Sequence, residues 1–260
     1  MSIIVIIIYA LVIFGSTALG ACAGLGGGII IKPTLDYIHF DSTDIIGFYS
    51  ANAVFAMSCR SSIKAILSKH KFNWNLIILI AISSMAGGYL GNLTFNILYD
   101  GLGNRIVTLI QSGLLCLMIL LLIAYFIHTP QSYSFKNPLL IIFCGIFLGL
   151  ISAFLSIGGG PANVVIYSWL FGLTLKESII YSLATIFCAQ GAQLIAITAT
   201  EGYSAYPCSL LLAIIPAAIL GSIFGGFIYK KSSDKNIRKI LIFTMTALLA
   251  LNINNFIVAL

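Results

Sequence analysis

Two glycine clusters are the places in this sequence where the backbone itself could bind a ligand. Gly24-Leu25-Gly26-Gly27-Gly28 and Ser156-Ile157-Gly158-Gly159-Gly160 lie 132 positions apart, each inside an apolar run. Glycine costs a helix interior about 1 kcal/mol relative to alanine, so three in succession predict a break in the helix. The amide groups that start the next helix are unpaired and carry the positive end of its dipole, which attracts anions. We therefore predict an anion site formed by Gly26, Gly27, Gly28, Gly158, Gly159 and Gly160.

Uncharged polar side chains lie in the apolar stretches that flank both glycine clusters. Their hydroxyl and carboxamide groups could hydrogen-bond the oxygen atoms of a substrate, or could hydrogen-bond neighbouring helices instead. The candidates for substrate binding are Ser50, Asn52, Ser182, Thr185, Asn163 and Gln190, with Gln193, Tyr49 and Tyr181 as further polar groups. For any one of them, the sequence leaves both roles open.

One cation, Lys32, follows Gly28 by four residues, which is about one turn if a helix starts there. A cation inside a membrane is a functional candidate, although long side chains often extend to the interface. We include Lys32 among the substrate-binding candidates and interpret Arg60 as an anchor at the membrane boundary. No embedded Asp or Glu is expected to relay protons, so the identity of any coupling ion is left open.

The composition predicts a membrane protein. Of the 260 residues, 60% are hydrophobic and 8% are charged, whereas a soluble domain has about 25% charged residues. Several apolar stretches reach about 20 residues, the length of a helix that crosses a bilayer. We predict an all-α polytopic protein embedded in the lipid bilayer, and we interpret the net charge of +6 as a determinant of membrane orientation rather than of nucleic-acid binding.

Residue types that carry enzymatic chemistry are scarce. The three histidines lie at predicted loop edges, and the six cysteines are scattered without the spacing of a metal site. No paired carboxylates or hydrolase motifs are present. We therefore predict that the protein is not an enzyme and binds neither a cofactor nor a metal.

The glycine clusters belong to a longer internal repeat. At an offset of 132, Tyr49-Ser50 matches Tyr181-Ser182 and Phe55 matches Phe187; at an offset of 134, Gly87 and Gly91 match Gly221 and Gly225. The order of these features is kept over about 90 residues, which indicates a duplication. The predicted repeats are residues 1–130 and 131–260.

The positive-inside rule decides between two arrangements of the repeats. If each half crossed the membrane four times, the basic residues would be divided between both faces. If each glycine cluster instead turns the chain back, eleven of the thirteen basic residues lie on one side and five of the seven acids on the other. We therefore predict two inverted repeats, each a re-entrant or half-length helical hairpin plus three transmembrane helices, with both termini outside. The alternative is a mid-helix interruption that continues through the membrane.

The predicted boundaries follow the apolar runs. In the first repeat they give a hairpin over about 3–38 and helices over about 43–68, 74–98 and 104–127. In the second repeat they give a hairpin over about 138–172 and helices over about 178–199, 206–229 and 237–260.

With both glycine clusters, Pro33, and the stretches Tyr49-Ser50-Ala51-Asn52-Ala53 and Tyr181-Ser182-Leu183-Ala184-Thr185, the chain resembles the sulfite exporter TauE/SafE family of membrane transporters. The resemblance implies transport of sulfur-containing anions such as sulfite or sulfonates across the cytoplasmic membrane. The second half departs from the pattern at Ser156 and Pro161. We expect a secondary transporter with its site between the glycine clusters; the alternative is an anion or small-solute channel.

Overall fold

The structure is a computed structural model that describes residues 3–38, 40–67, 73–128, 131–200 and 202–259. In these ranges all regular secondary structure is helical, and no strand is present, as predicted. The helices are α1 (Ile3–Ala23), α2 (Gly28–Ile38), α3 (Thr43–Leu67), α4 (Trp74–His128), α5 (Pro138–Phe154), α6 (Gly160–Trp169), α7 (Leu175–Thr200), α8 (Leu211–Lys231) and α9 (Asp234–Ala259). Two single-turn 3-10 helices, Tyr203–Ala205 and Cys208–Leu210, precede α8.

Five of the described helices are long and apolar enough to cross a membrane. They are α1, α4, α7, the segment Cys208–Lys231 that includes α8, and Asp234–Val258 within α9. The chain therefore has the composition and the helix lengths of a multi-pass membrane protein. Helix α3 has 25 residues but is more polar, and most of its middle is buried by other helices.

Helix α4 is 55 residues long, about 80 Å if it were straight, which far exceeds one bilayer crossing. It is interrupted at Gly103, where φ is 77° and ψ is 172°. The sequence predicted a connection over 99–103, but the helix continues to residue 102, so the interruption is a single residue. We call residues 74–102 the first arm of α4 and residues 104–128 the second arm.

Helices α2 and α6, which follow the two glycine clusters, have 11 and 10 residues. At 1.5 Å per residue they are about 15–17 Å long, roughly half the hydrocarbon thickness of a bilayer. The helices that follow the two glycine clusters therefore have the length that the sequence predicted.

Glycines bring α1 and α5, the helices that precede the two glycine clusters, close to other helices. Helix α1 packs on α8, and α5 packs on the first arm of α4. In α8, methyl groups at Gly221 and Gly225 would lie 2.4 and 2.0 Å from the carbonyl oxygens of Phe14 and Ala18 in α1. In the first arm of α4, methyl groups at Gly87 and Gly91 would lie 2.1 and 2.4 Å from those of Ile146 and Leu150 in α5. Small residues allow such close approach in membranes. Phe14 and Ala18 correspond to Ile146 and Leu150 at the offset of 132. The contact of α1 with α8 therefore matches the contact of α5 with α4.

Candidate functional site

The two glycine clusters adopt the same backbone conformation, and we call residues 24–28 the first break and residues 156–160 the second break. In the first break, φ is 72° at Gly24, 78° at Gly26 and 73° at Gly27. In the second, Ser156, Gly158 and Gly159 have φ values of 52°, 77° and 64°. Left-handed backbone favours glycine, which explains the glycines at the matched positions. Ser156, which the sequence marked as a departure, adopts the same conformation as Gly24.

Each break returns the chain to the helix that precedes it. A methyl group at Gly27 would lie 3.3 Å from the carbonyl oxygen of Ser16 in α1, and one at Gly159 would lie 3.1 Å from Cβ of Ser152 in α5. Helices α2 and α6 therefore start beside the C-terminal turns of α1 and α5. Pro161 occupies the first turn of α6, where its missing N–H group leaves no hydrogen bond unmade. This departure from the first half is therefore compatible with the same turn.

The two breaks pack against each other, backbone to backbone. A methyl group at Gly28 would lie 2.6 Å from the carbonyl carbon of Ile157, and one at Gly160 would lie 2.0 Å from that of Leu25. All four residues are buried. The structure therefore brings together the six predicted glycines, with the two breaks in direct contact.

Two predicted candidates, Ser50 and Ser182, join the breaks to the helices of the opposite half. Ser50 Oγ donates to the carbonyl oxygen of Ser156 at 2.8 Å, and Ser182 Oγ donates to that of Gly24 at 3.1 Å. Ser182 is also 3.2 Å from the carbonyl oxygen of Gly160. Both hydroxyls satisfy carbonyl groups that the helix breaks leave unpaired. The matched phenylalanines, Phe55 and Phe187, stack with ring centroids 5.1 Å apart.

Carboxamide side chains border the second break. Gln190 Nε2 donates to Ser152 Oγ at 3.2 Å, and Gln193 Nε2 donates to the Ala153 carbonyl oxygen at 3.3 Å. The side-chain oxygens of Gln190, Gln193 and Asn163 are buried and have no hydrogen-bond partner among the described residues. These three residues therefore lie beside the second break, and each retains an unused acceptor.

Other candidates have partners within the helical scaffold. Asn52 donates to the carbonyl oxygen of Phe48 at 2.9 Å and accepts from the Tyr203 hydroxyl. Thr185 donates to the Tyr181 carbonyl oxygen at 3.0 Å and bonds the hydroxyl of Tyr167. The hydroxyl of Tyr49 donates to the Pro207 carbonyl, and that of Tyr181 accepts from the Asn73 amide.

Lys32 is one turn into α2 and is only 3% exposed. Its Nζ lies 3.6 Å from Oδ2 of Asp36 and 3.5 Å from the carbonyl oxygen of Thr43. The sequence predicted no embedded acid that relays protons, but Asp36 is buried in α2. Because the two residues are four apart on one helix, they pair directly, and the charge of Lys32 is compensated.

A cationic cavity that the sequence did not predict adjoins the first break. This basic cavity has a volume of about 100 Å³ and is lined by residues that include Arg60, Lys64, Lys230, Ser61, Leu183 and Ile179. The Cγ1 atom of Ile179 lies 3.0 Å from where a methyl group on Gly24 would be, so one residue separates the cavity from the break. Arg60 and Lys64 are four residues apart on α3, a spacing that places both on one helix face and could have revealed them.

Two comparisons relate the chain to known proteins. The profile of the family described as Sulfite exporter TauE/SafE matches residues 9–253. A probable membrane transporter protein of Methanocaldococcus jannaschii is 28% identical over 242 residues, which cover 85% of each chain. No solved structure matches this chain. The match over nearly the whole length shows that the chain belongs to the sulfite exporter TauE/SafE family of membrane transporters.

Proposed function

We propose that the protein is a secondary transporter of small sulfur-containing anions, such as sulfite, sulfonates or related organosulfur compounds, across the cytoplasmic membrane. The observation that carries this proposal is the basic cavity, whose lining residue Ile179 contacts the first break. The name of the matched family supports the substrate class. The contact between the breaks supports a site to which both halves contribute.

The lining of the basic cavity suits an oxyanion. Gly226 lies between two of the cations, since a methyl group there would be 3.2 Å from Nη1 of Arg60 and 3.3 Å from Nζ of Lys64. A guanidinium and an ammonium group are strong donors to the oxygens of a sulfite or sulfonate group. Arg60 already donates to the Ser222 carbonyl at 3.0 Å, which fixes its position while other N–H groups are available. We propose that the anion first binds here.

The second step of the proposed path uses the breaks themselves. The anion moves past Ile179 to the amides of Gly26–Gly28 and Gly158–Gly160, where Asn163 and Gln190 add polar contacts. Because the breaks now touch, the anion fits between them only after they separate. The start of a helix with free amides binds an anion without a buried countercharge.

We propose that residues 1–130 and 131–260 are inverted repeats and that transport exchanges their conformations. Support comes from three pairs of matching contacts: those between the two breaks, those that Ser50 and Ser182 make with the opposite break, and those of the glycines in α4 and α8. Beside the second break, three residues that correspond to lining residues of the basic cavity, Ala51, Asn92 and Gln193, are buried. Exchange would open that region and close the basic cavity.

The proposed orientation places the basic cavity at the cytoplasmic face and both termini outside. Arg60, Lys64 and Lys230 lie together in the structure, as the positive-inside rule requires of residues on one face. Cysteine labelling from either side of sealed cells at Asp41 and Ser233 tests this orientation, since the two positions are predicted on opposite faces.

The transport proposal is tested by flux of labelled sulfite, thiosulfate or methanesulfonate into proteoliposomes. We expect saturable uptake, and an increase of KM of about tenfold or more when Arg60→Gln and Lys64→Gln are combined, because charge-assisted hydrogen bonds of about 1.5–3 kcal/mol are lost. The matched control is Lys136→Gln, an exposed lysine outside the cavity. A folded protein without flux of any of these anions overturns the proposal, and unitary currents would indicate a channel instead.

A further inference from the structure

A second polar cavity lies at the end of α2 that is remote from the first break. This acidic cavity has a volume of about 170 Å³ and is lined by residues that include Asp36, Asp41, Thr43, Arg105 and Asn255. Its volume is several times that needed for one water molecule. Residues of α2, α3, α4, α9 and the α2–α3 connection all contribute, so it joins elements from both halves of the chain.

The interruption of α4 helps to build this cavity. Immediately after Gly103, the side chain of Asn104 accepts a hydrogen bond from the backbone amide of Thr43 at 3.1 Å. One turn later, the hydroxyl of Thr108 lies 2.7 Å from that of Thr43. These contacts fix the start of α3 to the second arm of α4, directly beside the carbonyl group to which Lys32 donates.

Two buried polar side chains, one lining the cavity and one beside it, have unused hydrogen-bonding capacity. Asn255 is 3% exposed, and its Oδ1 atom has no hydrogen-bond partner among the described residues, although its Nδ2 donates to the carbonyl of Pro33 at 2.8 Å. The ammonium group of Lys32 has three donors, and its contacts with the Thr43 carbonyl oxygen and the Asp36 carboxylate are long, at 3.5 and 3.6 Å. The ion pair between Lys32 and Asp36 is therefore buried but not tightly bonded.

We propose that Asp36 binds the coupling proton of the transporter from the acidic cavity and thereby controls the charge that Lys32 presents to the anion. This inference rests on the proposed transport function. In the pair as observed, the carboxylate compensates the ammonium group. When a proton from water in the cavity adds to the Asp36 carboxylate, it forms a neutral acid, and Lys32 becomes an uncompensated cation one turn from the first break.

The coupling is reciprocal. An uncompensated cation near the break favours anion binding, so anion binding must favour protonation of Asp36 by the same factor. When the proton leaves to the cavity, the ion pair reforms and the anion is released. One proton and one anion are therefore bound together.

The other charged or titratable groups near Asp36 have partners of a different kind. Asp41 accepts a hydrogen bond from the hydroxyl of Tyr9 on α1, and Asp44 of α3 accepts one from Tyr99 on α4 at 3.0 Å. Arg105 of α4 lines the same cavity, and α9 contributes the uncharged Asn255. Asp41 and Asp44 each have a neutral tyrosine partner, whereas Asp36 is the acid paired with the buried lysine.

Proton uptake on anion binding tests the proposal directly in the wild-type protein. Purified protein in weakly buffered detergent solution, with a pH indicator, is mixed with methanesulfonate, whose own protonation does not change near neutral pH. We expect uptake of about one proton per anion bound. Anion binding without proton uptake overturns the proposal while leaving the transport function intact. If no anion binds at all, both fail.

A variant pair supplies the second test. Asp36→Asn is a permanent mimic of the protonated acid, so anion affinity should become independent of pH, whereas wild-type affinity should fall on the order of tenfold from mildly acidic to mildly alkaline solution. Anion exchange without a pH gradient should persist, and accumulation driven by the gradient should be lost. The control is Asp100→Asn, the same change at an exposed acid, which should behave as wild type. Gradient-driven accumulation by folded Asp36→Asn overturns the proposal.

Discussion

The two breaks have almost the same backbone but different surroundings. Both have left-handed residues at the same three positions, and each packs against the backbone of the other. The first break adjoins an open cavity with three cations, whereas the second is bordered by buried carboxamides. The shared backbone shows that this turn requires residues that can adopt left-handed φ angles at three positions. From this difference in polar surroundings we expect an anion to reach the breaks from the side of the first break in this conformation.

The similarity of the two backbones predicts that both breaks are equally intolerant of added volume. In Gly160→Ala, the new methyl group would lie 2.0 Å from the carbonyl carbon of Leu25, and in Gly28→Ala it would lie 2.6 Å from that of Ile157. Because only backbone is available to move, we expect a loss of about 3 kcal/mol or more, at the upper end of overpacking effects. Thermal unfolding in detergent measures it.

The control for these variants is Gly101→Ala, where no atom lies within 4 Å of the added methyl group. There we expect unchanged or slightly higher stability, because alanine is the better helix former. If Gly160→Ala were as stable as this control, the close contact between the breaks would be wrong.

The difference in surroundings predicts unequal accessibility at matched positions. Ser61 lines the basic cavity, whereas Gln193, 132 residues later, is 3% exposed. A cysteine in Ser61→Cys should therefore react with a small charged thiol reagent about tenfold or more faster than one in Gln193→Cys, in line with local opening energies. Rates are corrected for the native cysteines with wild-type protein. Equal rates would contradict the asymmetry.

The two serines that join the halves give a smaller effect. Ser50→Ala and Ser182→Ala each remove a buried donor from a carbonyl group of the opposite break, and we expect losses of about 1–3 kcal/mol. Ser182→Ala should be the larger loss, since this hydroxyl contacts two carbonyl oxygens. Thermal unfolding measures both, with the exposed Thr246→Ala as the control. A loss of stability in only one of the two variants would contradict the correspondence between the halves.

The smallest effect is expected where the breaks differ in sequence. Ser156→Gly removes left-handed strain of about 1–2 kcal/mol but also the hydrogen bonds of the hydroxyl with Ala153 and Gln193. We therefore expect a net change within about 1 kcal/mol. Gly24→Ser should cost more, about 1–3 kcal/mol, because Ile179 and Val164 lie 3.0 Å from the added carbon. Chemical unfolding of both variants measures the two losses of stability. A larger loss in Ser156→Gly than in Gly24→Ser would show that the hydrogen bonds of the Ser156 hydroxyl outweigh the backbone strain.

Much of the fold follows from local sequence. Runs of apolar residues and clustered glycines have direct consequences for backbone conformation, so the half-length helices after Gly28 and Gly160 could be predicted. The course of α4 through residues 99–102 could not, because a polar stretch that resembles a loop is stabilised there by tertiary contacts such as that of Tyr99 with Asp44.

The site was less predictable, because its contacts depend on which helices meet. Ser50 and Ser182 were identified as polar groups near the breaks, but their partners lie 106 and 158 residues away. The sequence predicts only a membrane anchor at Arg60, since nothing local to α3 indicates that Lys230 of α8 lies beside it. The pairing of Lys32 with Asp36 was within reach, because their spacing of four places them on one helix face.

The stack of Phe55 on Phe187 has a consequence for the ancestry of the molecule. On the duplication proposed above, these rings are two copies of one position in contact with each other. A residue that touches its own copy lies on the two-fold axis of a homodimer. A half-length ancestral chain would therefore have paired with an identical chain through this phenylalanine, and the two halves produced as separate polypeptides should still assemble.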